Sequence, residues 1–442
     1  MKKILLILIV LIVAGVAGMP YVNGMITQKV VTAAFEDINQ MYTDSGYDIK
    51  MEILEYDRGF SSSRIEWQMT FGSLSAVYGL ENITFVDDAT HGLLSVVSET
   101  SLEKNQWFTD WVAARQDGKN PLKIHTRYPA FGPIVSDITL DPFSIDADGE
   151  TLDIGSLELA MTVDRALTTF SSKGKWEGIT GVDGNIGPVT LDAESSRVTS
   201  MIWEGKGNIG LEKFHVVDSD TAESVDFSGL DVDFDISAGA DKKRMNVDMG
   251  VALDTIMIDG QTLSDWSFRW GIGHIDIQAY ESLIVLYSEM MNEMLAQVEN
   301  PGADPGVVND MMMDAMARNS SQLMAEAEKL LKKDFQIRVS DLDIGLPQGR
   351  VKGSLSLGLK KDMTMAQFFP LMSQPSLALD IFSLKSDVRF PENMAAGNPN
   401  LTMPVFPGMK TGLFVQEGTD LHHWAETRDN RLYLNGEEVV LN

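Results

Sequence analysis

Apolar and polar residues alternate with period two along much of this chain, the pattern of strands that bury one face. Tyr47, Ile49, Met51 and Ile53 alternate with Asp48, Lys50 and Glu52, and Ile65, Trp67, Met69 and Phe71 repeat the pattern after a short interruption. Leu157–Val163, Leu230–Ile236, Met245–Leu253 and Trp266–Ile272 do the same. Gly-, Asp- and Ser-rich turns separate these runs, which predicts a mainly β protein built on a large antiparallel sheet system. One face of each strand then needs a cover: a second sheet, helices or a ligand. Strands return at FQIRVSDLDIGL, at RVKGSLSLGLKK and around Leu377–Phe390. The stretch PENMAAGNPNLTMPVFPG reads as a helix start and then a loop, and the tail, GLFVQEG to DNRLYLNGEEV, as two strands with a helical or extended link.

Two regions break the alternation. Ile26, Val30, Ala34, Ile38 and Tyr42 recur every four residues, which predicts an amphipathic helix ending at the turn Thr43–Gly46. Gln278–Val298 and Gly306–Lys333 are rich in Met, Ala, Leu and Glu and predict a helical hairpin insert joined by the breakers of ENPGADPG. Ahead of both, Lys2 and Lys3 precede an unbroken apolar run, Ile4–Met19. Its length lies between a signal-peptide core, about 7–15 residues, and a spanning helix of about 20. Gly15 and Ala17 are small enough to flank a cleavage site. The length of the run, and the lack of a polar segment after it, favour an uncleaved single-pass anchor with the lysines cytoplasmic and the bulk exported. A buried core helix fits poorly with the terminal position and the basic start. The expected organisation is an anchor at 1–22, a β-rich region with its leading helix at 23–277, the insert at 278–334 and a β-rich region at 335–442.

Composition narrows the chemistry. The 442 residues carry 64 acidic and 35 basic side chains, a formal charge of -29. Such a surface repels phosphate backbones, which excludes a nucleic-acid partner. The absence of cysteine excludes disulfides, thiolate metal sites and cysteine nucleophiles. Gly205, Gly207 and Gly210 fit a dinucleotide-loop spacing, but IGLEKFHVVD after them reads as a strand where a helix is required, so they read as hairpin-turn glycines. His91, His125, His215, His274, His422 and His423 form no metal-ligand spacing. Asp146, Asp148 and Glu150 have Gly149 at the wrong offset for a calcium loop and read as a solvated turn. No metal and no cofactor are expected. The methionines crowding the insert, among them Met290, Met294, Met311 and Met316, read as adaptable packing rather than soft metal ligands. Asp231, Asp233 and Asp235 read as one exposed strand face that discourages edge pairing.

The interruption EYDRGFSSSRIEW, Glu55–Trp67, has the residue types of a catalytic loop, with Ser61, Ser62 and Ser63 as candidate nucleophiles. No G-x-S-x-G elbow accompanies them. The flanking strands make it the corner of a hairpin, with Gly59 supplying backbone freedom, the serines local hydrogen bonds and Arg58 a tie to a nearby carboxylate or carbonyl. This stretch resembles the signature of the YdgA-type family of bacterial proteins, a domain of unknown function, at Tyr56, Arg58, Gly59, Phe60, Ser61 and Ser62. ATHGLLS, with His91 and Gly92, and the ending with Gly412, Leu413, Leu434, Asn435 and Gly436 are similar to the family as well. The resemblance spans nearly the whole chain and implies an inner-membrane-anchored protein with its bulk in the periplasm, of a family with no established enzymatic activity. The strand-rich body looks more distantly like the AsmA-type envelope proteins, whose curved sheets are linked to lipid transport. The expected function is therefore non-enzymatic: lipid or another envelope component held in an apolar groove of a curved sheet. The competing readings are an envelope scaffold for another protein and a serine hydrolase. The signature residues are expected to be structural.

Overall fold

A computed structural model of the chain describes residues 2–72, 75, 81–102, 120–147, 150–217, 224–258, 261–295, 305–367, 370–371, 374–397, 408–409 and 411–440. It divides into two compact units, the first made of residues 1–182, 191–203 and 284–319, the second of 183–190, 204–283 and 320–442. Period two becomes strand over most of the runs read, but Tyr47–Ile49 lie ahead of the first strand and Leu377 and Ala378–Ile381 are helical, the strand read there beginning only at Phe382. Most pairings are between antiparallel neighbours in sequence.

The first unit opens with helix α1 (Lys2–Asp44). A meander follows: β1 (Lys50–Arg58), β2 (Ser62–Thr70), β3 (Asn82–His91), β4 (Ser95–Leu102), β5 (Leu122–Pro129) and β6 (Ile134–Leu140), each antiparallel to the next. β7 (Phe143–Ala147) and β8 (Glu150–Ile154) form a side hairpin, after which β9 (Leu157–Val163) returns to pair with β6 and with β10 (Thr169–Trp176). β11 (Ile179–Thr180) adds to β8.

The second unit is a longer meander. β12 (Gly184–Ile186) pairs with β14 (Trp203–Val217), whereas β13 (Val189–Arg197), between them in sequence, belongs from residue 191 to the first unit and pairs there with β10. From β14 the strands run in order through β15 (Ser224–Ala238), β16 (Arg244–Ile258), β17 (Gln261–Asp276), β18 (Gln336–Leu346), β19 (Gly349–Leu359) and β20 (Phe382–Pro391). β20 pairs with β22 (Asp420–Arg428), which is flanked by β21 (Val415–Glu417) and β23 (Arg431–Leu434), with β24 (Glu437–Val439) last. The tail thus holds four strands where two were expected, the link between them being a strand itself.

The insert contains α2 (Ile277–Leu295), α3 (Pro305–Arg318) and α4 (Ser320–Leu330). The second arm of the expected hairpin is therefore two helices. Asn319 turns its side chain back onto the Ala315 carbonyl at 3.0 Å, and Ser320 and Ser321 follow, residues that compete with helical hydrogen bonding. Met290 and Met294 are buried, as packing requires, whereas Met313, Met316 and Met324 are exposed. The connection at 299–304, Asp148 with Gly149, and residues 398–407 lie outside the described residues.

Two other expectations are corrected. Gly205, Gly207 and Gly210 lie inside β14, not at a turn; Gly205 and Gly207 sit opposite Ile236 and Phe234, where the absence of a side chain leaves room for large neighbours. β15, which carries Asp231, Asp233 and Asp235, is an interior strand and not an edge, and Asn208 binds Asp231 and Arg269 binds Asp233 across the sheet. The face of α1 that meets the sheet seats most deeply at small residues beside its apolar ones. Asn23, Gly24, Thr27 and Val31 are buried, while Ile26 is exposed and Val30, Ala34, Ile38 and Tyr42 are half-buried. Ile4–Met19 belongs to α1, which continues through Pro20 without a break. Among the described residues no helix is long and apolar enough to cross a membrane, so the expected anchor rests on the sequence alone.

Candidate functional site

The signature residues meet at the corner where α1 crosses the first sheet. β1 and β2 are joined by a tight turn in which the Gly59 N–H donates to the Ser62 carbonyl at 2.8 Å. Ser62 and Ser63 already belong to β2. Among the described residues Arg58 has no carboxylate partner: its guanidinium lies 4.9 Å from the centre of the Tyr21 ring and donates to the Tyr21 hydroxyl at 3.3 Å. Phe60 stacks on the same ring, with centroids 6.1 Å apart. From the next hairpin, the Gly92 and Leu93 carbonyls accept hydrogen bonds from Asn23 Nδ2 at 2.8 and 2.9 Å. Lower on the helix, Asn39 clamps Met51, its Oδ1 taking the Met51 N–H and its Nδ2 reaching the Met51 carbonyl, both at 2.7 Å.

His91 explains why a glycine faces it. A Cβ built on Gly24 would stand 2.2 Å from His91 Cε1 and 2.4 Å from Nδ1. The imidazole is fixed from below by Ser63, with Oγ 3.0 Å from Nε2. This is the spacing of a nucleophile and its base, but Ser63 is 6 % and His91 4 % exposed, and among the described residues no carboxylate orients the buried Nδ1. Helix α1 is seated on the ring at Gly24. Ser61 and Ser62 are exposed and act through their main chains, the Ser61 carbonyl taking the His91 N–H at 2.8 Å. Burial holds the His91 imidazole below its ordinary pKa, with the Arg58 charge acting the same way against a raising contribution from the Phe60 carbonyl. Neutral His91 is the form this seat accommodates.

The same sheet face carries a row of small residues across its strands. Ser63, Ala89, Ser98, Thr126 and Ser136 are successive cross-strand partners, and the first four are buried. Small side chains under a helix let its backbone approach closely, as Gly24 and Thr27 do from the other side. One register row further along lies Asp87, paired with Ile65 and Thr100 and buried. Burial raises its pKa, against hydrogen bonding from Thr100 and Trp67. Burial likewise raises Tyr56 and Tyr128, both of which feel the Asp87 charge. Asp87, Tyr128 and Gly24 were missed in the sequence, although NITFVDDATH places Asp87 at an inward position of its own alternation.

A pH dependence follows from Asp87. Its pKa in the fold lies above the unfolded value, so its contribution to stability is complete below about pH 4 and is lost as pH rises through the folded pKa. Asp87→Asn removes that loss. Denaturant midpoints measured from pH 4 to pH 8 should show the variant gaining on the parent as pH rises; a constant difference would rule out ionisation of Asp87 as the cause.

In the second unit the two sheet faces differ in kind. One is a lattice of paired charges. Arg269 forks onto Asp233 at 2.8 and 2.6 Å, Arg338 onto Asp248 at 3.2 and 2.5 Å, and Asn208 donates to both oxygens of Asp231 at 2.8 Å. The other face is apolar. Ile209, Val232, Val251, Phe268 and Leu342 make one row of cross-strand partners. Phe234, Met249, Trp270, Val339 and Leu355 make the next, and Ile236, Val247, Ile272, Ile337 and Leu357 the third. None of these side chains is buried; Ile209, Ile337, Leu355 and Leu357 are exposed outright. The charged face thus carries paired side chains, whereas the apolar face is left half open to water.

The C-terminal signature residues form a second tie. Leu434 ends β23, and Asn435 and Gly436 make its turn to β24 with φ of 48° and 87°. Both being positive, the turn twists with its strands. His422 and His423, neighbours on β22, bind different partners. His422 touches Glu417 at 3.1 Å and Asp387 at 3.0 Å, while His423 touches Ser386 at 2.8 Å and the Leu413 carbonyl at 2.9 Å. Partial burial pulls the His422 pKa down, but the two carboxylates outweigh it and hold the imidazole above its ordinary value. Among the described residues no group of three or more His, Asp or Glu is placed to hold a metal ion.

Comparison with known proteins agrees with the motifs. The family described as bacterial protein of unknown function, DUF945, matches residues 1–442. Protein YdgA of Escherichia coli (strain K12) is 22% identical over 287 residues, 63% of this chain and 55% of YdgA. The uncharacterized protein YihF of the same organism is 24% identical over 411 residues, 85% of this chain and 80% of YihF. The chain therefore spans only 55% of the length of YdgA. No solved structure matches it.

Proposed function

The chain belongs to DUF945, a family of bacterial proteins of unknown function, and from that premise we propose that it is a non-enzymatic, inner-membrane-anchored protein of the periplasm that holds lipid or another apolar envelope component on its second unit. The observation that carries this reading is the half-open apolar face from β14 to β19, three rows deep, backed by a face whose charges are already paired. Burying such a face stabilises by about 25 cal/mol for each Å² removed from water, so an acyl chain laid on it gains without any new polar contact. The anchor is supported by Ile4–Met19 behind Lys2 and Lys3. The absence of activity is supported by the closed seat of Ser63 and His91.

Full-length protein extracted in detergent, delipidated and re-exposed to envelope lipids tests the reading by mass spectrometry of what it retains. Specific retention is expected, falling several-fold in Trp270→Asp and Ile337→Asp with thermal unfolding as the check on folding. The same face also suits a scaffold that binds another protein. Retention of no lipid, with one protein recovered reproducibly and lost in the same variants, would establish that second reading instead.

A further inference from the structure

Four hairpin turns close the first sheet at one end: β1 to β2, β3 to β4, β5 to β6 and β9 to β10. The strands alternate in direction, so all four tips lie beyond the cross-strand row Ser63, Ala89, Ser98, Thr126, Ser136 and Met161 on the same side. Three of the tips hold large apolar side chains clear of the sheet: Phe60 is 59 % exposed, Leu93 49 %, Leu94 68 % and Phe131 85 %. The fourth holds Arg165. In a hairpin turn surrounded by water such residues gain nothing, and four at one rim make a patch.

Helix α1 fixes what the rim faces. It reaches the rim at Tyr21, against Phe60, and Asn23, against the Gly92 and Leu93 carbonyls. From there its C-terminal part runs away from the rim, past Phe35 on Trp67 to Asn39 on Met51, near the opposite ends of β1 and β2. Its N-terminal part therefore leaves the sheet at the rim, and the apolar run ending at Met19 begins about 6 Å of helix beyond Asn23. Tyr21 and Arg58, an aromatic ring and a guanidinium in contact, stand at that level, residue types that settle at the headgroup layer.

We infer that this rim rests on the bilayer: Leu93, Leu94 and Phe131 enter the interfacial layer around the point where α1 goes in, and Phe60 with Tyr21 lines that point. The inference rests on the proposed anchor. It adds a second attachment, which fixes the angle of the first unit to the membrane where a lone helix would leave it free to swing. The occupant is the lipid surface because the patch surrounds the exit of the apolar helix and its tips project in the direction that helix takes.

The chain has no cysteine, so single cysteines report singly. Full-length Leu94→Cys and Phe131→Cys, labelled with an environment-sensitive fluorophore and reconstituted into phospholipid vesicles, are compared with Thr70→Cys. Thr70 is exposed and ends β2 about 26 Å of strand from Ser62. Nitroxide-bearing lipids should quench the labels at 94 and 131 several-fold more than the label at 70. Equal quenching at all three sites, in protein that stays with the vesicles through an alkaline wash, overturns the inference and leaves the anchor standing. Protein released by the wash overturns both. Labels at 94 and 131 that report an apolar surrounding but are not quenched indicate cover by a protein and also overturn it. Circular dichroism of each labelled variant confirms that it is folded.

Discussion

Gly24→Ala is expected to destabilise the first unit, against what helix propensity predicts. In an exposed helix interior the same change stabilises by roughly 1 kcal/mol, because alanine loses less backbone freedom than glycine. Here the new methyl would stand 2.2 Å from the His91 ring. The ring cannot step aside cheaply, since it is buried and bonded to Ser63 at 3.0 Å. Overpacking of this kind costs about 1–3 kcal/mol. For a unit of this size, that lowers the melting temperature by roughly 2–12 °C. Hydrogen exchange at Tyr21–Val31 should accelerate more than in the distant strands, because the loss falls on the seat of the helix.

His91→Ala makes the cause testable. Removing the ring opens the space above Ser63, so Gly24→Ala in that background should be neutral or stabilising. The coupling between the two changes then equals most of the single-variant loss. An additive pair, or a Gly24→Ala protein as stable as the parent, would show that the helix rides higher on the sheet than the structure has it.

That seat also marks where sequence reading stops. The strands were legible because alternation is a direct consequence of a pleated, half-buried backbone, and the Glu55–Trp67 corner was legible from the strands on either side. The docking face of α1 was not. The apolar period finds Ile26, Val30, Ala34 and Ile38, but the helix seats most deeply on Asn23, Gly24, Thr27 and Val31. Close approach to a sheet is made by small residues, and the matching row of Ser63, Ala89, Ser98 and Thr126 is equally silent in a hydropathy pattern. Arg58 was read by its charge, whereas its partner is the Tyr21 ring thirty-seven residues earlier in the chain. The glycines of β14 were read as turns because glycine commonly makes turns, and only the register shows Gly207 opposite Phe234. The open apolar face was half legible: the apolar side of each strand was evident, but whether anything covered it was a property of the assembled fold.

The largest expected effect in the second unit comes from one side chain of the C-terminal signature. Asn435 has a left-handed backbone, φ 48°, which asparagine tolerates and a β-branched residue does not. Its Oδ1 accepts the Trp424 N–H at 2.8 Å, and its Nδ2 donates to the Gly412 and Leu413 carbonyls at 2.7 and 3.3 Å. Its own N–H donates to the Trp424 carbonyl at 2.7 Å. One residue thus ties the β23 turn, the middle of β22 and the stretch leading to Phe414, which packs on Phe390 at 5.4 Å. Asn435→Val loses the side-chain bonds and adds backbone strain, for a combined cost of about 2–4 kcal/mol. Asn435→Gly loses the bonds but keeps the conformation, so it should fall between the parent and the valine variant in denaturant midpoint. Both variants should be cleaved faster by protease near Leu413 and Phe414, because both release that stretch. If glycine matched the parent in stability and in protease resistance, the tie would contribute nothing and only the turn conformation would matter. If glycine and valine fell together, the hydrogen bonds would carry the whole effect, and the positive φ would be a consequence of them.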